Sequence, residues 1–158
     1  MTIVRRLLVL AAFAFWQGGF TFYAAVVVPI GAEVLGSAAE QGRITRPVTG
    51  YMNLAGAVAI AIFSADVTAV APRRRSRALI LVAEIALLVA LIVIRSHLEG
   101  MIEHDSAFPA DRAAFRPWHR LYLWLSTAQW ALAIAFLALT LSAWRQSDSN
   151  KAETVRHG

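Results

Sequence analysis

Histidine, methionine and carboxylate side chains gather between residues 97 and 119, and these side chains are ligands for metal ions. His97 and His104 are seven residues apart with Met101 between them, so the three share one face if a helix continues through them. Imidazole binds zinc and copper, and a methionine sulfur favours Cu(I). Copper is therefore the first candidate metal and zinc the second. The candidate ligands are His97, Glu99, Met101, Glu103, His104 and His119.

Two of these histidines form an alternative site, for haem b. His97 lies near the end of one predicted helix and His119 at the start of the next, so an antiparallel pair of helices brings them to similar depth. Two imidazoles in that arrangement serve as axial ligands of haem iron. No HxxxH or HExxH spacing is present, and solvated or structural histidines explain the same pattern. The occupant of the cluster stays open at this point.

The sequence predicts one ionisable residue deep inside an apolar run, Glu84. An intramembrane carboxylate is a candidate functional residue, because placing it in hydrocarbon is costly. Two roles stay open for it. It is either a proton relay or a packed acid that hydrogen-bonds to Gln17 or to a hydroxyl of the second apolar run.

Uncharged polar residues form two further stripes at helical spacing. The first consists of Thr45, Thr49 and Asn53, with Gly56 near the same face, and the second of His119, Tyr122, Ser126 and Gln129. Polar side chains in a membrane span turn toward the bundle interior. Facing stripes therefore predict interhelical hydrogen bonds, favoured for Thr49 and Ser126, or the wall of a polar cavity. The intramembrane polar residues of interest are Gln17, Thr49, Asn53, Glu84, Tyr122, Ser126 and Gln129.

Long apolar runs are the elements that carry these residues. The chain is 58% hydrophobic and 16% charged, with a mean hydropathy of +0.57, whereas soluble domains are nearer half apolar and a quarter charged. A run inside lipid must satisfy its own backbone amides, which a helix does within one segment. Membrane spans are predicted at about residues 7–30, 47–70, 78–97 and 118–143.

These spans predict an all-α, antiparallel four-helix membrane bundle over residues 1–145, followed by a polar, disordered tail at 146–158. The pair Gly18 and Gly19 predicts close helix packing in the first span. Nine Lys and Arg residues fall on the side of the termini and central loop, against six on the other side. This bias predicts that both termini lie in the cytoplasm of a bacterial-type inner membrane, with the protein multi-pass.

Composition also bounds the partners. The absence of cysteine excludes disulfides and thiolate metal sites. Basic residues cluster at the ends of apolar runs, which is the pattern of membrane orientation rather than of nucleic-acid binding. The expected partners are the lipid bilayer, a metal ion or small solute, and either a second copy or another membrane protein; no nucleic acid is expected.

Three blocks of sequence carry a family resemblance. They are FWQGGFTFY at 15–23 with VVVP at 26–29, QGRIT at 41–45 leading into NLAG at 53–56, and Phe115 with WHRLY at 118–122. Together these blocks resemble the bacterial membrane-protein family called domain of unknown function 4149, over about residues 5–143. That family is more distantly similar to CopD-like copper proteins and HemJ-like haem-binding proteins. The resemblance implies a four-helix membrane bundle and includes His119, whereas His97 and His104 lie outside its pattern.

The leading functional hypothesis is a non-enzymatic membrane protein. Its outward-facing polar cavity binds a small solute or metal ion, or helps to move it. The first alternative is a haem-b membrane oxidoreductase of HemJ-like type, in which Glu84 and Tyr122 are candidates for moving protons or electrons. The second alternative is a structural or assembly subunit of a membrane complex, which the small size favours.

Overall fold

Four long helices account for nearly all of the residues that the computed structural model describes, which are residues 2–102 and 111–157. Helix α1 covers Thr2–Val34, α2 covers Ala38–Ala69, α3 covers Arg74–Gly100 and α4 covers Arg112–His157. Each is long and apolar enough to cross a membrane. The predicted all-α class is confirmed, and each predicted span corresponds to one helix.

Helix α1 widens into two π-helical turns, Ala14–Gly18 and Tyr23–Val27. The second turn ends two residues before Pro29. Proline lacks an N–H group and its ring crowds the carbonyl four residues earlier, so a wider turn lets the helix pass it without a break. The first turn holds Trp16 and Gln17, both of which are buried.

Local chemistry sets where the helices begin. Gly36 adopts a left-handed conformation with φ 65° just before Ser37, whose hydroxyl caps α2 by accepting a backbone N–H at 3.2 Å. The Asp111 carboxylate accepts two backbone N–H groups at the start of α4, at 2.8 and 3.1 Å. Between α2 and α3 the chain turns through Pro72 and Arg73, and Arg73 has a φ of 54°.

Buried charged side chains and exposed apolar side chains occur together on these helices. Asp66, Arg77 and Thr140 are 0% exposed and Glu84 is 1% exposed. The outer faces of the same helices carry large apolar side chains that are more than half exposed, among them Phe15, Phe22, Leu79, Val82 and Trp124. Soluble proteins place these residue types the other way round.

Aromatic side chains fill the centre of the helix packing. Phe63 of α2 stacks on Phe136 of α4 with ring centroids 4.8 Å apart, and it lies 6.4 Å from the ring of Trp16 in α1. Offset aromatic pairs at such distances stabilise beyond the area they bury. We refer to Trp16, Phe63 and Phe136 as the aromatic layer.

Helices α1 and α2 pack tightly at Gly56, where an added Cβ would lie 3.0 Å from the indole of Trp16. Of the two glycines at which close packing is predicted, Gly19 faces α2 and Gly18 does not. A Cβ on Gly18 would meet nothing within 4 Å, and one on Gly19 would make ordinary contact with Met52 at 3.4 Å. The reason is rotational: Gly18 is exposed, so it lies on the outer face of α1.

Residues 146–157 continue α4 as a helix, whereas their polar composition predicts a disordered tail. Extending an existing helix is far easier than nucleating one, so the polar segment follows the apolar one. The hydroxyls of Ser149 and Thr154 bond to carbonyls four residues earlier, at 3.1 and 3.0 Å. An ion pair between Asp148 and Arg6 ties the segment to α1.

Candidate functional site

A buried carboxylate, Asp66 of α2, receives hydrogen bonds from three other helices. Arg5 Nε of α1 donates to Asp66 Oδ1 at 2.8 Å, and Trp144 Nε1 of α4 donates to Asp66 Oδ2 at 3.1 Å. Arg77 Nη2 of α3 donates to the same Oδ2. The side chains of Asp66 and Arg77 are both 0% exposed. A charge removed from water in this way requires such partners.

The guanidinium group of Arg77 is buried and contacts two residues of α4. Its Nε donates to Thr140 Oγ1 at 3.1 Å, and its Cζ lies 5.6 Å from the centre of the Phe136 ring. A cation over an aromatic face is attracted by the ring quadrupole. Nη1 is buried and has no hydrogen-bond partner in the described part of the chain. We refer to Arg5, Asp66, Arg77, Thr140 and Trp144 as the ionic layer.

A second ion pair covers the ionic layer from outside. Arg6 binds both carboxylate oxygens of Asp148, with N–O distances of 2.8 and 2.7 Å. Its Cζ also lies 5.2 Å from the centre of the Trp144 ring. Because Trp144 donates to Asp66, the exposed pair and the buried pair share one indole.

Asp66 and Arg77 are absent from the site residues predicted from the sequence. Hydropathy places Asp66 at the end of the second span and Arg77 among loop cations, so Glu84 stands out there as the single deep charge. The structure adds two further charged residues that are equally buried. The available signal was an acid four residues inside an apolar run, since such a residue needs a partner.

Glu84 lies on the same face of α3 as Arg77, two turns further along the helix. It is 1% exposed, and neither carboxylate oxygen has a hydrogen-bond partner among residues 2–102 and 111–157. The side-chain amide of Gln129 in α4 lies close enough to interact with the Glu84 carboxylate, although no hydrogen bond of ordinary geometry joins them and Gln129 Nε2 is buried without a partner there. The predicted hydrogen bond from Gln17 or a helix-2 hydroxyl is therefore replaced by proximity to Gln129, because α3 packs directly on α4.

Helix α1 supplies a third unsatisfied group, Gln17, which is 4% exposed and whose Oε1 has no partner within the described ranges. The backbone carbonyl oxygen of Gln17 accepts a hydrogen bond from Thr21 Oγ1 at 2.8 Å. Thr21 Oγ1 in turn accepts a hydrogen bond from Trp130 Nε1 at 3.1 Å. Trp130 directly follows Gln129, so these bonds connect this part of α1 to the level of Glu84. We refer to Gln17, Glu84 and Gln129 as the central polar layer.

A further polar group surrounds Tyr122 of α4, nearer the end of α3. The side chains of Asn53 and Ser126 lie near the Tyr122 hydroxyl, and the charges of Arg95 and Glu99 lie close enough to act on it. Arg95 Nη2 donates to Glu99 Oε1 at 2.6 Å. We refer to these five residues as the distal polar group. Asn53 belongs to the predicted polar stripe of α2 and Tyr122 to that of α4, and the facing of the two stripes stays a prediction.

The stripe hydroxyls, in contrast, bond within their own helices. Thr49 Oγ1 donates to the Arg46 carbonyl at 2.9 Å, and Ser126 Oγ donates to the Tyr122 carbonyl at 2.9 Å. Serine and threonine in helices commonly donate to the carbonyl one turn earlier. The interhelical hydrogen bonds predicted for Thr49 and Ser126 are therefore wrong.

The rings of His97 and His119 each pack against an aromatic neighbour. His97 meets the edge of Trp118 with centroids 4.6 Å apart, and His119 stacks on Phe115 at 5.7 Å. Both histidines are exposed. Trp118, near the start of α4, thus lies against His97 near the end of α3.

The remaining predicted metal ligands are not brought together by the described chain. Helix α3 ends at Gly100 and Met101 follows in a turn, so Met101 is not part of the helix that carries His97. Glu103 and His104 lie outside the described residues. Within the described ranges, no group of three or more His, Cys, Asp or Glu side chains is placed to hold a metal ion. A metal or haem at this end stays a prediction.

Comparison with known proteins leaves the geometry as the basis for assigning a function. No protein-family model, curated protein or solved structure matches the chain. The family resemblance of the blocks at 15–23 and 118–122 stays a prediction.

Proposed function

We propose that the chain is a multi-pass membrane protein, an antiparallel four-helix bundle, that binds a small cation or a donor-rich polar solute at Glu84. The apolar outer surface and the buried charges support the membrane placement. One observation carries the binding proposal: both Glu84 oxygens are buried without a hydrogen-bond partner in the described structure. A buried polar group left unsatisfied is costly, so a ligand that satisfies it is favoured.

Unpaired acceptors outnumber unpaired donors in the central polar layer. The central polar layer offers both Glu84 oxygens and Gln17 Oε1 as unpaired acceptors, against one unpaired donor, Gln129 Nε2. Carboxylate and amide oxygens bind hard cations and N–H or O–H donors, whereas Cu(I) prefers sulfur and imidazole. The proposed ligand is therefore a hard monovalent cation or a small protonated amine, and copper is no longer the first choice.

Access to the site is proposed from the end of the bundle that carries the distal polar group. Polar side chains continue from Gln129 through Ser126 to Tyr122, one turn of α4 at a time. In the other direction lie the Phe63–Phe136 stack and the ionic layer. With both termini in the cytoplasm, as the excess of basic residues at that end supports, the entrance faces outward.

Purified protein in detergent tests this proposal by titration with NaCl, KCl or methylammonium chloride, with choline chloride keeping ionic strength constant. Intrinsic tryptophan fluorescence is the readout, because Trp130 adjoins Gln129. We expect at least one probe to give a saturable change in the native protein. Glu84→Gln should weaken that binding more than about tenfold, since hydrogen bonds to a charged group contribute ~1.5–3 kcal/mol.

Glu153→Gln is the matched control, because it makes the same chemical change on an exposed face of α4 and should bind like the native protein. A native protein that responds to none of the three probes contradicts the proposal, as does a Glu84→Gln variant with native affinity. An absorption spectrum of the same preparation tests the haem alternative, and a Soret band would favour that alternative instead.

A further inference from the structure

A groove of about 390 Å³ opens where the start of α1, the α2–α3 turn and the C-terminal part of α4 meet. Thr2, Arg5 and Arg6 form one wall, residues 69–72 form the floor, and residues 147–154 of α4 contribute the opposite wall. The ionic layer and the aromatic layer separate this groove from the central polar layer. The groove is thus a second site, and it exists because α4 continues as a helix beyond the apolar run.

The described lining of the groove is basic. It contains Arg5, Arg6 and Lys151 and no acidic residue. Asp148 is paired with Arg6, and Asp66 is shared between Arg5 and the buried Arg77. These two carboxylates face four positive charges, those of Arg5, Arg6, Arg77 and Lys151, and the excess of positive charge favours an anionic ligand.

Two of these cationic side chains, Arg5 and Lys151, have N–H groups that make no hydrogen bond to the described residues. Arg5 uses Nε for Asp66, and its two terminal nitrogens make no hydrogen bond to the described residues. Lys151 forms neither a hydrogen bond nor an ion pair within the same ranges, although its charge acts on Asp148. Arg6 differs, because both its terminal nitrogens are bound to Asp148.

Neutral donors complete the lining. The hydroxyl of Thr2 and the amide of Asn150 face the same groove from opposite walls. Several donors converging from two walls match the oxygens of a phosphate group, which arginine and lysine bind by charge-assisted hydrogen bonds. The floor, residues 69–72, is Ala-Val-Ala-Pro and offers apolar contact beside the charges.

We propose that this groove binds the phosphate group of an anionic lipid headgroup. It lies at the ends of membrane-length helices, at the level where headgroups meet a bundle, and basic pockets between helix ends on the cytoplasmic side bind such lipids. The proposal rests on the membrane placement but not on solute binding at Glu84. A soluble phosphate compound has the same chemistry, so the test separates the two sources.

Native mass spectrometry of the full-length protein in detergent, with added phosphatidylglycerol or phosphatidylcholine, measures bound lipid directly. We expect phosphatidylglycerol to be retained in preference to phosphatidylcholine. Lys151→Gln should weaken that retention about fivefold, as expected for ~1 kcal/mol per basic residue near a charged membrane surface. Arg156→Gln removes the same charge from the same helix outside the groove and should change retention less than about twofold.

Equal retention of phosphatidylglycerol by Lys151→Gln and the native protein would overturn the proposal, and so would equal weakening by both variants. Excess inorganic phosphate identifies the source. Displacement of the lipid by phosphate supports the phosphate site with a soluble compound as its ligand, and resistance to displacement supports the lipid. Lys151 is exposed, so its replacement should leave the thermal unfolding temperature unchanged and a loss of retention is not a loss of folding.

Discussion

Asp66 shows how a single residue organises one end of this molecule. Its carboxylate joins α2 to the other three helices through Arg5, Arg77 and Trp144. The net contribution of a buried ion pair to stability is small, because desolvation offsets the attraction. Removing one partner is a different matter, since the other charge then stays buried alone.

Asp66→Ala should therefore lower the free energy of unfolding by about 3–5 kcal/mol, because Arg77 stays in a site with 0% exposure and loses its counter-charge. Unfolding by SDS in mixed micelles, followed by circular dichroism, measures the change. Asp148→Ala makes the same substitution at the exposed pair with Arg6 and should have little effect. The double variant Asp66→Leu with Arg77→Met should recover much of the loss. Equal stability of Asp66→Ala and Asp148→Ala would show that the ionic layer does not hold the helices together.

For single residues, the sequence indicates which polar side chains lie inside the helix packing, but it does not indicate which side chains they contact. Glu84, Gln17 and Gln129 are recognisable as intramembrane polar residues from their position in apolar runs. Their partners depend on how each helix is rotated about its axis, and hydropathy contains no such information. For the same reason, the pairing of Asp66 with Arg77 across two helices emerges only in three dimensions.

The packing of α1 on α2 depends on one small residue, Gly56. A Cβ there would lie 3.0 Å from the Trp16 indole, which is itself 4% exposed and has little room to move. Gly56→Ala should cost about 1–3 kcal/mol of stability through this overpacking. Gly18→Ala is the matched control, because nothing lies within 4 Å of the added Cβ.

The control variant should keep or slightly raise stability, by up to about 1 kcal/mol, since alanine favours helix over glycine. The same SDS unfolding measurement compares the two variants. A stable Gly56→Ala protein, or a Gly18→Ala protein destabilised as much as Gly56→Ala, would contradict the helix contact described here.

The C-terminal segment of α4 can be tested for helical structure. Its polar composition predicts disorder, whereas the structure shows residues 146–157 as helix. Hydrogen exchange should find their amides slowed relative to an unstructured peptide, and Asp148→Ala should speed that exchange by removing the contact with Arg6. Exchange at the unstructured rate in the native protein would favour the disordered tail and would remove one wall of the groove.

The presence of four helices was predictable from the sequence, but the residues at which the helices end were not. Four apolar runs of membrane length leave little choice but four helices. Helix α4 extends to His157 and carries an ion pair with α1 at Asp148, and α3 ends at Gly100. Both ends lie beyond what local composition specifies.

The whole molecule consists of successive layers along its length. The ionic layer lies at the end that holds the start of α1, the aromatic layer follows, and the central polar layer and distal polar group lie beyond it. Apolar side chains face outward at every level. Charged groups buried in the interior and apolar side chains on the outside are the arrangement expected of helices that cross a membrane.

Site-directed labelling of single cysteines tests this account most directly, and the chain contains no native cysteine to interfere. Ser76→Cys and Ser149→Cys lie at the end with the ionic layer, and Ser37→Cys and Ala113→Cys lie at the opposite end. A membrane-impermeant maleimide applied to intact cells should label only the Ser37→Cys and Ala113→Cys proteins, and the other two should react after permeabilisation. Labelling of all four variants in intact cells, or of sites from both ends on one side, would contradict the four-span bundle and the proposals that rest on it.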